Sequence, residues 1–175
     1  MKSNQFKMLS IAGLLLAAGV FSNQAMAAET ATASASAEIK TPIAVTKTAD
    51  LNFGSIVVPA GSATVVVAPN GGRSATGVTL ITDTGNAPSA AAFTVTGESA
   101  ATYSLAITFA ANTITGITSV DTWTSSLTGG TSPNFTGNLT GGSEAVTVGA
   151  TLTLDQTVTS GVKDLGTITA TVAYN

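Results

Sequence analysis

From Ala31 to Phe53 the chain alternates between apolar and polar positions. Odd positions carry Ala31, Ala33, Ala35, Ala37, Ile39, Ile43, Val45, Ala49, Leu51 and Phe53, with Thr41 and Lys47 as exceptions. Even positions carry threonine, serine, asparagine and most of the charges. An extended chain points successive side chains to opposite faces, so this period of two predicts half-buried strand. The run is far longer than the five or six residues typical of a strand. Pro42 cannot donate a ladder hydrogen bond and predicts a break or an edge position there. The expectation is two or three strands, small residues first and bulky ones later.

The same period returns along the chain. Ala63–Ala68, with Val65-Val66-Val67, predicts a strand, and Pro69-Asn70-Gly71-Gly72 predicts the turn after it, since Asn-Gly supplies positive φ. Val78–Thr82 predicts another strand, and Asp83–Pro88 a loop. Phe93 and Val95 alternate with threonines and stop at Gly97. Tyr103, Leu105, Ile107 and Phe109 form the clearest mid-chain pattern. Over 111–143 the alternation fails, and Gly129-Gly130 and Gly141-Gly142 bracket a threonine- and asparagine-rich stretch that predicts a loop or an edge hairpin. Val146, Val148, Ala150, Leu152 and Leu154 alternate again, and Thr157–Asp164 predicts a turn. The last run is unbroken: Ile168, Ala170, Val172 and Tyr174 on one face, Thr169, Thr171 and Ala173 on the other. A terminal strand this regular predicts an end tied into a sheet.

The first 27 residues read differently. Lys2 and Lys7 precede an apolar run, Met8 to Phe21, and Ala25-Met26-Ala27 is a small-x-small cleavage site. This is the pattern of a secretory signal peptide, and the apolar run is shorter than the roughly 20 residues a spanning helix needs. Residues 28–40 then form an N-terminal extension, and 41–175 a single domain. No later stretch predicts a spanning helix. Many short strands separated by turn signals, with no helical period after the leader, predict an all-β fold, a β-sandwich or barrel, and hydroxyl-rich outer faces over one apolar inner face favour the sandwich.

Composition narrows the function. After the leader, four basic residues face nine acidic ones, a formal charge of −5. That balance argues against nucleic acid, which needs a basic stripe, and against docking on anionic lipid. Charged residues are 9% of the chain, against about 25% in soluble domains generally, so hydroxyl groups do the solvating. The chain has no histidine and no cysteine. It can form no Ser–His–Asp triad, no thiolate nucleophile, and no imidazole or thiolate metal site. The nine carboxylates stand singly, without the Asp-x-Asp-Gly spacing of a calcium loop. No cofactor or metal is expected, and no enzyme. A glycosidase-type carboxylate pair from distant positions stays open as the minor alternative. Ser160-Gly161-Val162-Lys163 spells Ser-x-x-Lys, but in a turn and without the companion motifs of penicillin-recognising enzymes. Arg73, the only arginine, predicts a surface ion pair more readily than an anion site. Trp123, the only tryptophan, reads first as core; exposed, it would be a stacking platform for a sugar.

Several stretches, taken in order, resemble a family of secreted bacterial proteins catalogued as a domain of unknown function, number 4402. They are Thr41–Val45, Leu51-Asn52-Phe53-Gly54, Arg73–Val78, Ala92–Gly97 with Tyr103, Val148–Leu154 and Gly166–Asn175. The resemblance implies a β-rich exported domain and assigns no activity. A looser likeness is to chaperone–usher pilus subunits, which end on an alternating strand with tyrosine next to last. That likeness implies a sandwich of immunoglobulin-like or pilin-like kind and donor-strand assembly. Ala31, Ala33, Ala35, Ala37 and Ile39 would be the donor strand, and Ile168, Ala170, Val172 and Tyr174 an assembly edge. Identical subunits and a periplasmic chaperone and usher would be the partners, at the cell surface, in the periplasm or outside the cell. The chain departs from that pattern in having no disulfide and in offering mostly alanine knobs, which bury little area. The other function class is a monomeric secreted adhesion or glycan-binding module using Trp123 or the 111–143 loops.

Overall fold

A computed structural model describes residues 29–175, so the predicted signal peptide at 1–27 lies outside the described residues. Ten strands form within the compact unit Glu38–Asn175. They are β1 (Ala44–Ala49), β2 (Ala63–Val67), β3 (Arg73–Thr76), β4 (Ala91–Thr96), β5 (Thr102–Ala111), β6 (Ile117–Ser125), β7 (Gly129–Thr131), β8 (Asn134–Asn138), β9 (Ser143–Leu154) and β10 (Gly166–Tyr174). The fold is an all-β sandwich of two antiparallel sheets.

The first sheet is built on β9. This strand is long enough to serve two neighbours in succession: Ser143–Val148 pairs with β4, and Ala150–Leu154 with β2. Opposite them, β6 pairs with Val148–Leu154. β1 extends the sheet beyond β4, and β3 extends it beyond β2. The second sheet has the order β10-β5-β8-β7. Between the sheets lies one core. Val65, Val67, Phe93, Val95, Val146, Val148 and Leu152 come from the first sheet, and Tyr103, Leu105, Ile107 and Phe135 from the second. These residues alternate with threonines along their strands, which is why a chain so poor in charge still divides into an inner and an outer face. No buried side chain among the described residues is polar or charged apart from the Tyr103 hydroxyl. That hydroxyl donates 2.8 Å to Glu144 Oε2. Burial, with Glu144 beside it, pushes the phenol above its usual range.

The structure bears out the strands expected at Ala63–Ala68, around Phe93 and Val95, around Tyr103–Phe109, through Val146–Leu154 and at Ile168–Tyr174. The turn at Asn70-Gly71-Gly72 joins β2 to β3. Gly71 sits at φ 80°, and Asn70 Oδ1 accepts from Gly72 N at 2.9 Å.

Three expectations change. The alternating run Ala31–Phe53 holds one strand, β1, plus an isolated bridge between Asn52 and Ser89; residues 29–43 are in no strand. A strand needs a ladder partner, and none is paired with that segment. Val78–Thr82 contributes only a bridge, Leu80 to Ile56. Over 111–143 the edge-hairpin expectation holds for β7–β8, with β7 at the sheet edge, but the region also contains the nine-residue β6, which the sequence pattern does not predict. β6 escapes the period-two reading because its pairing with β9 shifts twice, between Ile117 and Ser119 and between Asp121 and Thr124, with Thr122 at φ 51°. Each bulge moves the inward side by one residue and breaks the alternation.

Candidate assembly site

β10 is an edge strand. It pairs with β5 along its whole length, from Gly166 opposite Ala111 to Tyr174 opposite Tyr103. Its other edge has no strand partner among the described residues. Ile168, Ala170, Val172 and Tyr174 all turn to the core and are half-buried, whereas Thr167, Thr169, Thr171 and Ala173 are exposed. The expected face is therefore the observed one. β1 is the edge of the other sheet, and its residues Val45 and Ala49 are likewise only half-buried, as is Ile43 just before it. Two edges with half-buried inner faces thus border the core on one side of the sandwich.

At one end these edges are fastened by Tyr174. Its hydroxyl donates 2.6 Å to the Thr41 carbonyl and accepts 2.6 Å from Glu98 N. Thr41 N in turn donates 3.0 Å to Glu98 Oε2. The hydrogen bonding from Thr41 holds the Glu98 carboxyl below the usual carboxylate range. Both backbone polar groups of Thr41 are therefore engaged. Gly97 makes the fastening sterically feasible, because a Cβ there would run into the Tyr174 hydroxyl.

Toward the other end the edges border a cleft of about 1130 Å³. Lys47, Ala49 and Leu51 line one wall, and Leu165 and Ile168 the other, over a floor that includes Phe93, Phe109, Leu152 and Leu154. Its lining mixes apolar side chains with polar and charged ones such as Asp50, Asn52 and Lys163. Among the described residues, five large hydrophobic side chains are exposed: Ile39, Val57, Val58, Ile81 and Val162. Four of them, all but Ile39, line this cleft. A cluster of that kind marks an interaction surface more often than scattered exposed residues do. Arg73 holds part of the mouth in place. It makes no ion pair with a carboxylate, contrary to expectation, but donates to backbone carbonyls: Nη1 to Phe53 (2.7 Å) and Ser55 (3.1 Å), Nη2 to Ile81 (2.8 Å).

Other candidates fall elsewhere. Ala31, Ala33, Ala35 and Ala37 are exposed and in no strand. Ile39 is 89% exposed. Trp123 is 8% exposed and packs on Phe109 with ring centroids 5.6 Å apart, so it is a core residue with no ring displayed for stacking. Lys163 of the Ser-x-x-Lys turn reaches Thr159 Oγ1 at 2.9 Å and the Ser160 carbonyl at 3.5 Å, both in its own turn. Among the described residues no three acidic side chains gather into a metal-binding group. None of their helices is long and apolar enough to cross a membrane. The cleft mouth is not foreseen from sequence. Val57-Val58 sits outside any alternating run, and Val162 lies in a turn whose other residues are polar; an apolar residue in such a place is the available signal.

Residues 43–174 match the family described as Domain of unknown function (DUF4402), and the chain belongs to that family. No curated protein and no solved structure matches it.

Proposed function

We propose that the protein is an exported, non-catalytic structural subunit of the cell surface, pilin-like, which joins its own kind by strand donation at a sheet edge. The observation that carries this reading is β10, nine residues long, regular, and free along one edge. Such an edge offers unpaired N–H and C=O groups at the spacing an added strand requires. Proteins normally blunt an edge of this length with charge, proline or a bulge. β10 has none of these, and its outward face is threonine and alanine. The leader supplies the export route, and an inventory without histidine or cysteine suits a structural role. A periplasmic chaperone and an usher are the partners this reading calls for.

The test is removal of residues 28–40 from the exported chain. Loss of SDS-resistant multimers supports strand donation from the N-terminal segment. Multimers that persist in the truncated protein rule that segment out as the donor. The alternative of a glycan-binding monomer loses Trp123, whose ring is buried, and rests on the 111–143 region alone, where β6 and the β7–β8 hairpin lie.

A further inference from the structure

We infer that β10 pairs edge to edge with β10 of a second copy, antiparallel about a two-fold axis at Ala170, when no donated strand occupies that edge. The pairing goes beyond the strand donation proposed above: it needs no donor segment, and it competes for the same edge. Its first support is the direction of the backbone groups. The ladder between β10 and β5 runs without a bulge from Gly166 to Tyr174. Just past its ends, Asn175 N donates 3.2 Å to the Thr102 carbonyl, and the Leu165 carbonyl accepts 2.9 Å from Asn112 N. Leu165 and Asn175 are both odd-numbered. Peptide groups alternate in direction along a strand, so odd residues bond to β5 and even residues face the open edge. Ile168, Ala170 and Val172 therefore turn their N–H and C=O groups to an edge with no strand partner among the described residues.

The second support is the order of residues in the strand. Thr167-Ile168-Thr169-Ala170-Thr171-Val172-Ala173 is nearly a palindrome about Ala170. A two-fold interface uses the same patch twice, so it needs this self-complementarity. With Ala170 opposite the partner's Ala170, Ile168 faces the partner's Val172 on the half-buried side. Thr169 then faces the partner's Thr171 on the exposed side. Directly opposed β-branched and threonine pairs are favourable. Moving the axis to Thr169 or Thr171 would set Ile168 against alanine or against Tyr174, whose hydroxyl is held by Thr41. β10 carries no charge, so no like charges meet along the pair.

An uncovered regular edge invites open-ended sheet growth. A two-fold pair closes on itself, because it uses the β10 edge of both copies. The joined sheet then ends on both sides at β7, a strand of three residues. One edge strand offers much less than the about 1,200–2,000 Å² of a stable interface, so the pair is transient and a donated strand displaces it.

Disulfide formation reads the register, in a chain with no cysteine of its own. Across the axis, residues 169 and 171 form non-hydrogen-bonded pairs, whose Cα atoms stand about 4.5 Å apart, within disulfide range. Same-numbered residues are diagonal neighbours about 7–8 Å apart, too far to bridge. Residues 28–175 are prepared as Thr169→Cys and as Thr171→Cys with different tags, mixed, and oxidised under native conditions. Both threonines are exposed, so the substitutions leave the core untouched. The control is Thr169→Cys mixed with Ser74→Cys, an exposed position on β3. The expected result is a cross-linked dimer carrying both tags, formed on the order of tenfold faster than in the control or with either variant alone. It should persist when residues 28–40 are removed. Either variant cross-linking to itself as fast as the mixture would place the axis elsewhere and overturn the inference. So would a mixed rate no higher than the control, or loss of the mixed dimer together with residues 28–40. None of these outcomes touches strand donation, which is read without oxidant from SDS-resistant multimers. Absence of those multimers with the mixed dimer retained sinks donation and supports the pairing.

Discussion

Tyr174→Phe removes one oxygen and leaves the ring. That oxygen serves two backbone groups, the Thr41 carbonyl and the Glu98 N–H, each at 2.6 Å. A net hydrogen bond in a folded protein contributes about 0.5–1.5 kcal/mol, so two contribute about 1–3 kcal/mol. The Thr41 carbonyl is exposed and water can replace its partner, whereas the Glu98 N–H is partly buried and cannot be resolvated as easily. The expected loss is therefore in the lower half of that range, about 1–2 kcal/mol. With a urea dependence of about 2 kcal/mol per molar, the unfolding midpoint falls by about 0.5–1 M. The assay is equilibrium urea unfolding of residues 28–175, followed by the fluorescence of Trp123. The slope should not change, since the surface exposed on unfolding is the same. A midpoint within about 0.1 M of wild type would refute the claim that this hydroxyl fastens the two edges, because water would then be replacing both bonds at no cost. Hydrogen exchange at Glu98 N should also quicken, which a general loss of stability would not confine to that amide.

Arg73→Lys keeps the charge but cannot reach three carbonyls at once, so the mouth of the cleft loosens and stability falls by about 1–2 kcal/mol in the same urea assay; an unchanged midpoint would show that the guanidinium bonds are idle. Three carboxyls lie below their ordinary range: Asp83 through the Gly85 N–H and then Ser55, Glu98 through Thr41, and Asp155 through the Thr157 hydroxyl and N–H. A depressed folded pKa gives stability that is present above the unfolded value, near 4, and lost as pH falls through the folded value. The urea midpoint should hold from about pH 7 to 5 and decline below about pH 4, whereas a midpoint that rises on acidification contradicts the hydrogen bonds assigned to these groups. The only tryptophan should emit at short wavelength and resist quenching by iodide, as an 8% exposed ring does; emission like that of free tryptophan would contradict its place against Phe109.

What the sequence makes legible follows from one kind of signal. Where a strand is regularly paired, as in β5, β9 and β10, apolar and polar residues alternate along most of its length, and both the element and its buried face can be read. Where pairing shifts register, as in β6, the same physics scrambles the pattern, and a nine-residue strand resembles loop. Alternation alone also does not make a strand. Ala31–Ala37 alternates as well as β10 does but has no ladder, because alternation reports that a segment suits a sheet and not that a sheet edge is available. The candidate edge, Ile168 to Tyr174, is legible for the first reason. The cleft is not, because it is assembled from β1, β10 and the turns around Val57, Ile81 and Val162, which are distant in sequence. The fastening at Thr41 is hidden for the same reason: Tyr174 and Thr41 are 133 residues apart. The role of Arg73 is hidden too, because a lone surface cation suggests an ion pair, and nothing local reveals three carbonyls converging on it.

The central claim is that this chain is a subunit that joins its own kind. Sedimentation velocity of residues 28–175 across a wide concentration range, beside the form lacking 28–40, tests it most directly. The account predicts multimers that grow with concentration for residues 28–175 and a monomer for the truncated form. A 28–175 chain that sediments as a monomer at every concentration contradicts it.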